Sequence, residues 1–157
     1  MYAPDRDQDL RWMQRAIGLA ALCPLAAGAY SVGAVIVGED GTELATGYSR
    51  ATGPHEHAEE VALAQLAHDD PRLAGATLYS TLEPCSQRRT PRRAPCAQRI
   101  LEVGIPRVVI AWREPSFFVD DCIGYEQMTE AGVVVVELPE MAQDAQAVNA
   151  HLGRRLG

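Results

Sequence analysis

Helix-like and strand-like segments take turns along this chain, and no other property narrows its fold so far. Asp9 to Leu22 carries Leu10, Met13, Ile17 and Ala20 at helical spacing, and Pro24 stops it. Val32 to Val37 is a short β-branched run, followed by an Asp40-Gly41 turn and a returning strand from Glu43 to Tyr48. His57 to Ala67 reads as a helix rich in Ala, Leu and Glu, ended by Asp70-Pro71. Thr77 to Thr81 is a third strand, and Cys96 to Val103 a short helix closed by Gly104. Arg107 to Trp112 is a fourth strand, Ile123 to Ala131 a helix closed by Gly132, and Val133 to Leu138 a fifth strand. Pro139 opens a terminal helix at its favoured first position. The order predicts an α/β fold in three layers, with a mostly parallel sheet covered on both faces. In such sheets a site lies beyond the carboxyl ends of strands, near helix N-termini.

At 157 residues, with no repeat and no linker, the chain is expected to form a single domain over 1–157. The net charge of −7 argues against DNA, RNA or an anionic membrane as partner, while leaving room for a small anionic ligand. There is no apolar run of the roughly 18 residues a spanning helix needs. The opening MYAPDRDQDL is polar and acidic, unlike a secretion signal, so a cytoplasmic location is expected. In that compartment the four cysteines read as thiols or metal ligands rather than disulfides. Cys23 and Cys122 read as small buried hydrophobes.

Three local features carry chemistry. His57-Ala58-Glu59 opens a helix, Pro84-Cys85 follows a strand directly, and Cys96 opens the next helix. One nitrogen and two sulfurs, with no fourth cysteine at short spacing, suit a catalytic zinc with an open position rather than a closed structural site. Zinc deaminases combine this donor set with a glutamate that does not bind the metal. Residues i and i+2 inside a helix point to opposite sides. His57 and Glu59 can therefore serve one ion only at the helix entrance, where His57 is still extended. Glu59 is read as the catalytic proton carrier, with Glu60 as its rival at i+3. His55, His68 and His151 read as ordinary surface residues, although His55 flanks the site.

With TLEPCS (Thr81 to Ser86), these residues resemble the cytidine-deaminase-like superfamily. The nearer likeness is to the pyrimidine deaminase domain of bacterial riboflavin biosynthesis, diaminohydroxyphosphoribosylaminopyrimidine deaminase. It rests on Asp9-x-x-x-Met13, Val32-Gly33-Ala34-Val35, Gly75 to Ser86, Thr90-Pro91, Cys96, Val103-Gly104-Ile105, Arg107-Val108-Val109, and a tail with Asn149 and Leu152. The resemblance implies a central five-stranded mixed sheet in the order 2-1-3-4-5. It implies one zinc on His57, Cys85 and Cys96, with Glu59 moving protons. It implies a ribosylamino-pyrimidine 5′-phosphate as substrate and a homodimer or homotetramer as the assembly.

The chain also departs from that branch. Ten residues separate its two cysteines, where the branch usually has eight and most of the superfamily two. Gln87 stands where the branch has a histidine, Gly28 to Ser31 replace a Pro-Asn-Pro, and Tyr48 or Ser49 replaces another histidine. Arg88, Arg89, Arg92 and Arg93 crowd the loop between the cysteines. Arginine forks suit a phosphate or carboxylate, so Arg89, Arg88, Ser49 and Gln87 are the candidate substrate contacts, Arg89 foremost. The resulting expectation is hydrolytic deamination of an amino-pyrimidine nucleotide or close analogue. The alternative is a free base or nucleoside of the guanine or cytosine type. A third reading, a zinc-stabilised binding protein without catalysis, is disfavoured by the presence of Glu59; acidity and the long loop speak against tRNA editing.

Overall fold

In the computed structural model, which describes residues 4–86, 88, 93–113 and 123–152, the chain forms one five-stranded sheet in the order β2-β1-β3-β4-β5. The elements in chain order are α1 (Arg6–Ala20), β1 (Gly33–Val37), β2 (Glu43–Tyr48), α2 (Ala58–Leu63), β3 (Thr77–Leu82), α3 (Cys96–Val103), β4 (Arg107–Trp112), α4 (Gly124–Glu130), β5 (Val134–Glu137) and α5 (Ala142–Ala147). Single 3₁₀ turns occupy Pro71–Gly75 and Pro139–Met141.

The sheet is mixed, not mostly parallel. β1 runs antiparallel to both β2 and β3, whereas β3–β4 and β4–β5 are parallel. The β1–β2 hairpin places β1 between two strands that run the other way. The same topology gives β2 and β3 a common direction, so both end on one edge of the sheet. The segments leading to α2 and α3 therefore start side by side.

α1 begins three residues before its expected start because Asp5 and Gln8 cap each other's backbone, at 2.8 and 3.0 Å. α2 ends at Leu63 rather than Ala67; beyond it the N–H groups of Gln65 and Leu66 reach back only three residues, a tighter winding that closes the helix. The terminal helix starts at Ala142, after the 3₁₀ turn at Pro139.

The core is one continuous cluster running from Met13 and Ala16 on α1, through all of β1 and the centres of β3 and β4, to Met128, Leu138 and Met141. β1 and β3 are buried along their whole length, as strands covered on both faces should be. Gly47 lets α2 press on the sheet: a Cβ there would lie 2.3 Å from the carbonyl oxygen of Ala58. Gly124 does the same for α4 against Pro84, where a Cβ would lie 2.0 Å from the carbonyl oxygen. Both close approaches abut residues next to the candidate ligands. Among the described residues no helix is long and apolar enough to cross a membrane.

Candidate active site

His57 is the N-cap of α2, with extended backbone (φ −90°, ψ 157°). That is the half-extended entrance the His-Ala-Glu spacing requires. Cys85 lies three residues past β3 and Cys96 is the first residue of α3. The three donors converge: His57 Nδ1 lies 3.5 Å from Cys85 Sγ and 3.4 Å from Cys96 Sγ. All three donor atoms fall within 4.8 Å of one another. A tetrahedral zinc with Zn–N of about 2.0–2.1 Å and Zn–S of about 2.3 Å puts nitrogen and sulfur about 3.6 Å apart. The donor set and its spacing thus fit one zinc ion with a position left open.

The thiol pair is prepared for a cation. Cys85 lies well below the ordinary thiol range, at about 4, because the Cys96 thiol donates to it and His57 adds both a hydrogen bond and charge, against the opposing effect of burial. Cys96 is pushed up by that same contact with Cys85 and by burial. The Cys96 backbone N–H at the start of α3 also donates to Cys85 Sγ at 3.2 Å, which favours the thiolate. Burial alone would lower His57, but hydrogen bonding and charge from Cys85 raise it.

Glu59 is 4% exposed on the first turn of α2. Burial pushes its carboxyl up to about 7, opposed chiefly by the charge of His57. It lies two residues after His57, at the α2 entrance, within electrostatic reach of His57 and Cys85. The rival, Glu60, points elsewhere: Arg88, Arg93 and Arg99 all bind it, at 3.0, 3.0 and 3.2 Å.

The candidate substrate contacts fare differently. Arg88 is turned inward, with a side chain 2% exposed, and donates to Glu60 and to the His55 carbonyl at 2.6 Å. Both ends of its guanidinium are thus engaged within the protein, by half-buried Glu60 and by the His55 carbonyl. Ser49 is buried too; its hydroxyl accepts from the Val32 N–H at 3.0 Å and ties the end of β2 to the start of β1. Arg89 and Gln87 lie outside the described residues, as does Cys122. His55, His68 and His151 are exposed, away from the donor cluster, as expected.

Several residues around the site escaped the sequence reading. Glu83 and Ser86, on either side of Pro84-Cys85, accept the N–H groups of Tyr125 at 2.8 Å and Ile123 at 3.1 Å, and so cap α4. Arg50 takes a left-handed backbone (φ 59°) and donates to the carbonyls of Pro24 and Tyr30, clasping the loop before β1. Asn149 brackets Ser31 in the same loop, accepting its N–H at 2.6 Å and donating to its carbonyl at 3.1 Å. The caps on α4 span 42 and 37 residues, so no local spacing signals them; nothing in sequence signals a non-glycine residue in the left-handed region.

A family model described as the cytidine and deoxycytidylate deaminase zinc-binding region matches residues 6–112. The chain belongs to that family. Among characterised relatives it is similar to the diaminohydroxyphosphoribosylamino-pyrimidine deaminase of Schizosaccharomyces pombe, 37% identical over 89% of this chain and 35% of the relative. It is also similar to the riboflavin biosynthesis protein RibD of Haemophilus influenzae, 38% identical over 80% of this chain and 32% of the relative. The chain thus spans about a third of the length of these relatives. Among solved structures, Acinetobacter baumannii RibD is 31% identical, with a TM-score of 0.75 over 94% of this chain and 41% of that one. Aspergillus oryzae Rib2 deaminase in complex with DARIPP shares the fold, with a TM-score of 0.80 at 22% identity over 94% of this chain and 93% of that one.

Metal content tests the donor set directly. Purified protein is expected to carry about one zinc per chain, and Cys96→Ala to lose most of it, because two protein donors hold the ion far less firmly than three. Full retention in Cys96→Ala would remove Cys96 from the site.

Proposed function

We propose that this chain is a zinc-dependent hydrolytic deaminase of an amino-pyrimidine nucleotide, acting in riboflavin biosynthesis or a pathway of the same chemistry. The observation that carries the reading is the convergence of half-buried His57 with buried Cys85 and Cys96, with a buried Glu59 two residues after His57. His57, Cys85 and Cys96 would hold the zinc, which would supply a Lewis acid able to make hydroxide available near neutral pH. Glu59 takes the proton of the attacking water and returns protons to the ring nitrogen and to the departing amine. The ring carbon gains the water oxygen and loses ammonia. Both cysteines and Glu59 are buried.

The names of the relatives support a ribosylamino-pyrimidine phosphate as substrate. In this reading Arg89 and Gln87 are the proposed substrate contacts, while the Ser49 hydroxyl and the Arg88 guanidinium are engaged within the protein. A single domain over 1–157 is part of the same reading, supported by the one continuous core. So is a reducing, cytoplasmic setting, supported by the need to keep both ligand sulfurs as thiolates. Assembly into a homodimer or homotetramer is supported by the exposed Leu22 and Leu25 beside the loop that Arg50 clasps.

One observation favours the second reading, a free base or nucleoside: Arg88 is already engaged by Glu60 and by the His55 carbonyl. Ammonia release from a panel of amino-pyrimidines and purines, each with and without its phosphate, decides between the two. A remaining arginine on the phosphate contributes about 1.5–3 kcal/mol, so the phosphorylated pyrimidine is expected to be used about 10- to 150-fold better. Preference for the uncharged form would transfer the protein to the second reading.

A further inference from the structure

One carboxylate touches all three segments that carry the candidate zinc ligands. Glu60 Oε1 accepts the backbone N–H of His57 at 3.2 Å and Nη1 of Arg88, three residues past Cys85, at 3.0 Å. Its Oε2 accepts Nη1 of Arg93 at 3.0 Å and Nη2 of Arg99 at 3.2 Å, and these two arginines lie three residues before and after Cys96. The arginines carry the tie onward. Arg88 Nη2 holds the His55 carbonyl at 2.6 Å, and Arg99 Nε holds that of Ala94 at 3.0 Å. The Glu60 side chain is 13% exposed.

A carboxylate offers about four lone-pair sites, and here four donors use them. The bonds are charge-assisted, and Glu60 and Arg88 are largely covered, which makes the network stiffer than a surface pair. They also cross between elements: α2, the segment after β3, and the start of α3. Those elements must bring one nitrogen and two sulfurs to a common point, while ten residues of chain run between the cysteines. We infer that Glu60 is a positioning residue of the metal site, a clamp that holds the segments of His57, Cys85 and Cys96 at the spacing zinc requires. This rests on the zinc reading above. Glu60 touches neither the ion nor the reacting atoms; it acts through the backbone of His57 and through three arginines.

Groups outside the ligand set that orient the ligands typically change metal affinity by about 10- to 100-fold when removed. Glutamine keeps the shape of Glu60 but has one acceptor oxygen, and it turns an NH₂ donor toward guanidinium donors. Zinc-loaded wild type and Glu60→Gln should be mixed with excess of a colorimetric zinc chelator and the release followed. Glu60→Gln is expected to take up zinc yet release it about 10- to 100-fold faster. Thermal unfolding of both metal-free proteins is measured alongside. A lower metal-free stability with an unchanged release rate would make Glu60 a merely structural residue and overturn the inference. Should Glu60→Gln fail to fold, Arg93→Gln and Arg99→Gln, which remove half-exposed partners one at a time, decide it: faster release in either supports the clamp, and wild-type release in both overturns it. A wild type that takes up no zinc sinks the metal reading and this inference together, whereas normal uptake with unchanged release sinks the clamp alone.

Discussion

Glu59→Gln is expected to keep about one zinc per chain and a wild-type fold while losing deamination by about 10²- to 10⁴-fold, the usual contribution of a placed proton carrier. Glutamine preserves the volume of a side chain that is 4% exposed, so packing around the first turn of α2 is unchanged. What is lost is an oxygen able to take a proton and give it back. Among the described residues, Glu60 is occupied by three arginines and the His57 N–H, and Glu83 by the α4 N-terminus. Turnover, zinc per chain and circular dichroism on the same preparation separate this outcome from misfolding. Activity within tenfold of wild type at full zinc content would take the proton role away from Glu59.

The site was legible because its three ligands are punctuation marks of the fold. His57 caps a helix, Cys85 follows a strand and Cys96 opens a helix, and each boundary is readable from hydrophobic spacing in its own segment. The preference for Glu59 over Glu60 rests on the His-x-Glu pattern of zinc deaminases, and the extended backbone of His57 is compatible with it. The direction of β1 was not legible from the alternation itself. A hairpin at Asp40-Gly41 makes β2 antiparallel to β1, but which neighbour β1 takes on its other side is a long-range choice. The start of α1 was legible and overlooked: Asp5-x-x-Gln8 is a capping box.

The fate of the arginine loop shows where sequence reasoning ends. Four basic residues between two ligands invite a phosphate, and charge counting cannot see that two of them, Arg88 and Arg93, reach a carboxylate on α2. Glu60 is 28 residues from Arg88 and 39 from Arg99 in sequence. Pairing at that distance is set by how α2 and α3 lean on each other, which depends on close approaches such as Gly47 against Ala58. The clasp of Arg50 on Pro24 and Tyr30 is hidden in the same way, because its left-handed backbone follows from surrounding structure and not from residue type.

Asp9→Ala is expected to cost about 3–5 kcal/mol of folding stability, which lowers the unfolding temperature by on the order of 10 °C for a chain of this length. Asp9 joins α1 to the centre of the sheet. Its carboxylate is bidentate to Arg107 on β4, at 2.9 and 2.6 Å, and accepts the Tyr79 hydroxyl of β3 at 2.6 Å. The Asp9 side chain is 4% exposed and Arg107 20%, so water cannot replace the lost partner. Burial and the neighbouring Asp9 hold the Tyr79 hydroxyl above its ordinary range, which keeps it a neutral donor. Removing Asp9 strands a guanidinium and a phenol at once, and a stranded buried charge is the costly part. The cost should therefore shrink when the stranded groups go as well. Asp9→Leu combined with Arg107→Met and Tyr79→Phe is expected to recover much of the stability that Asp9→Ala loses, since an apolar cluster of similar volume carries no desolvated charge. Denaturant unfolding of wild type, Asp9→Ala and the triple variant measures all three differences. A loss below about 1 kcal/mol in Asp9→Ala would place this network with ordinary surface pairs and leave the docking of α1 to its apolar face.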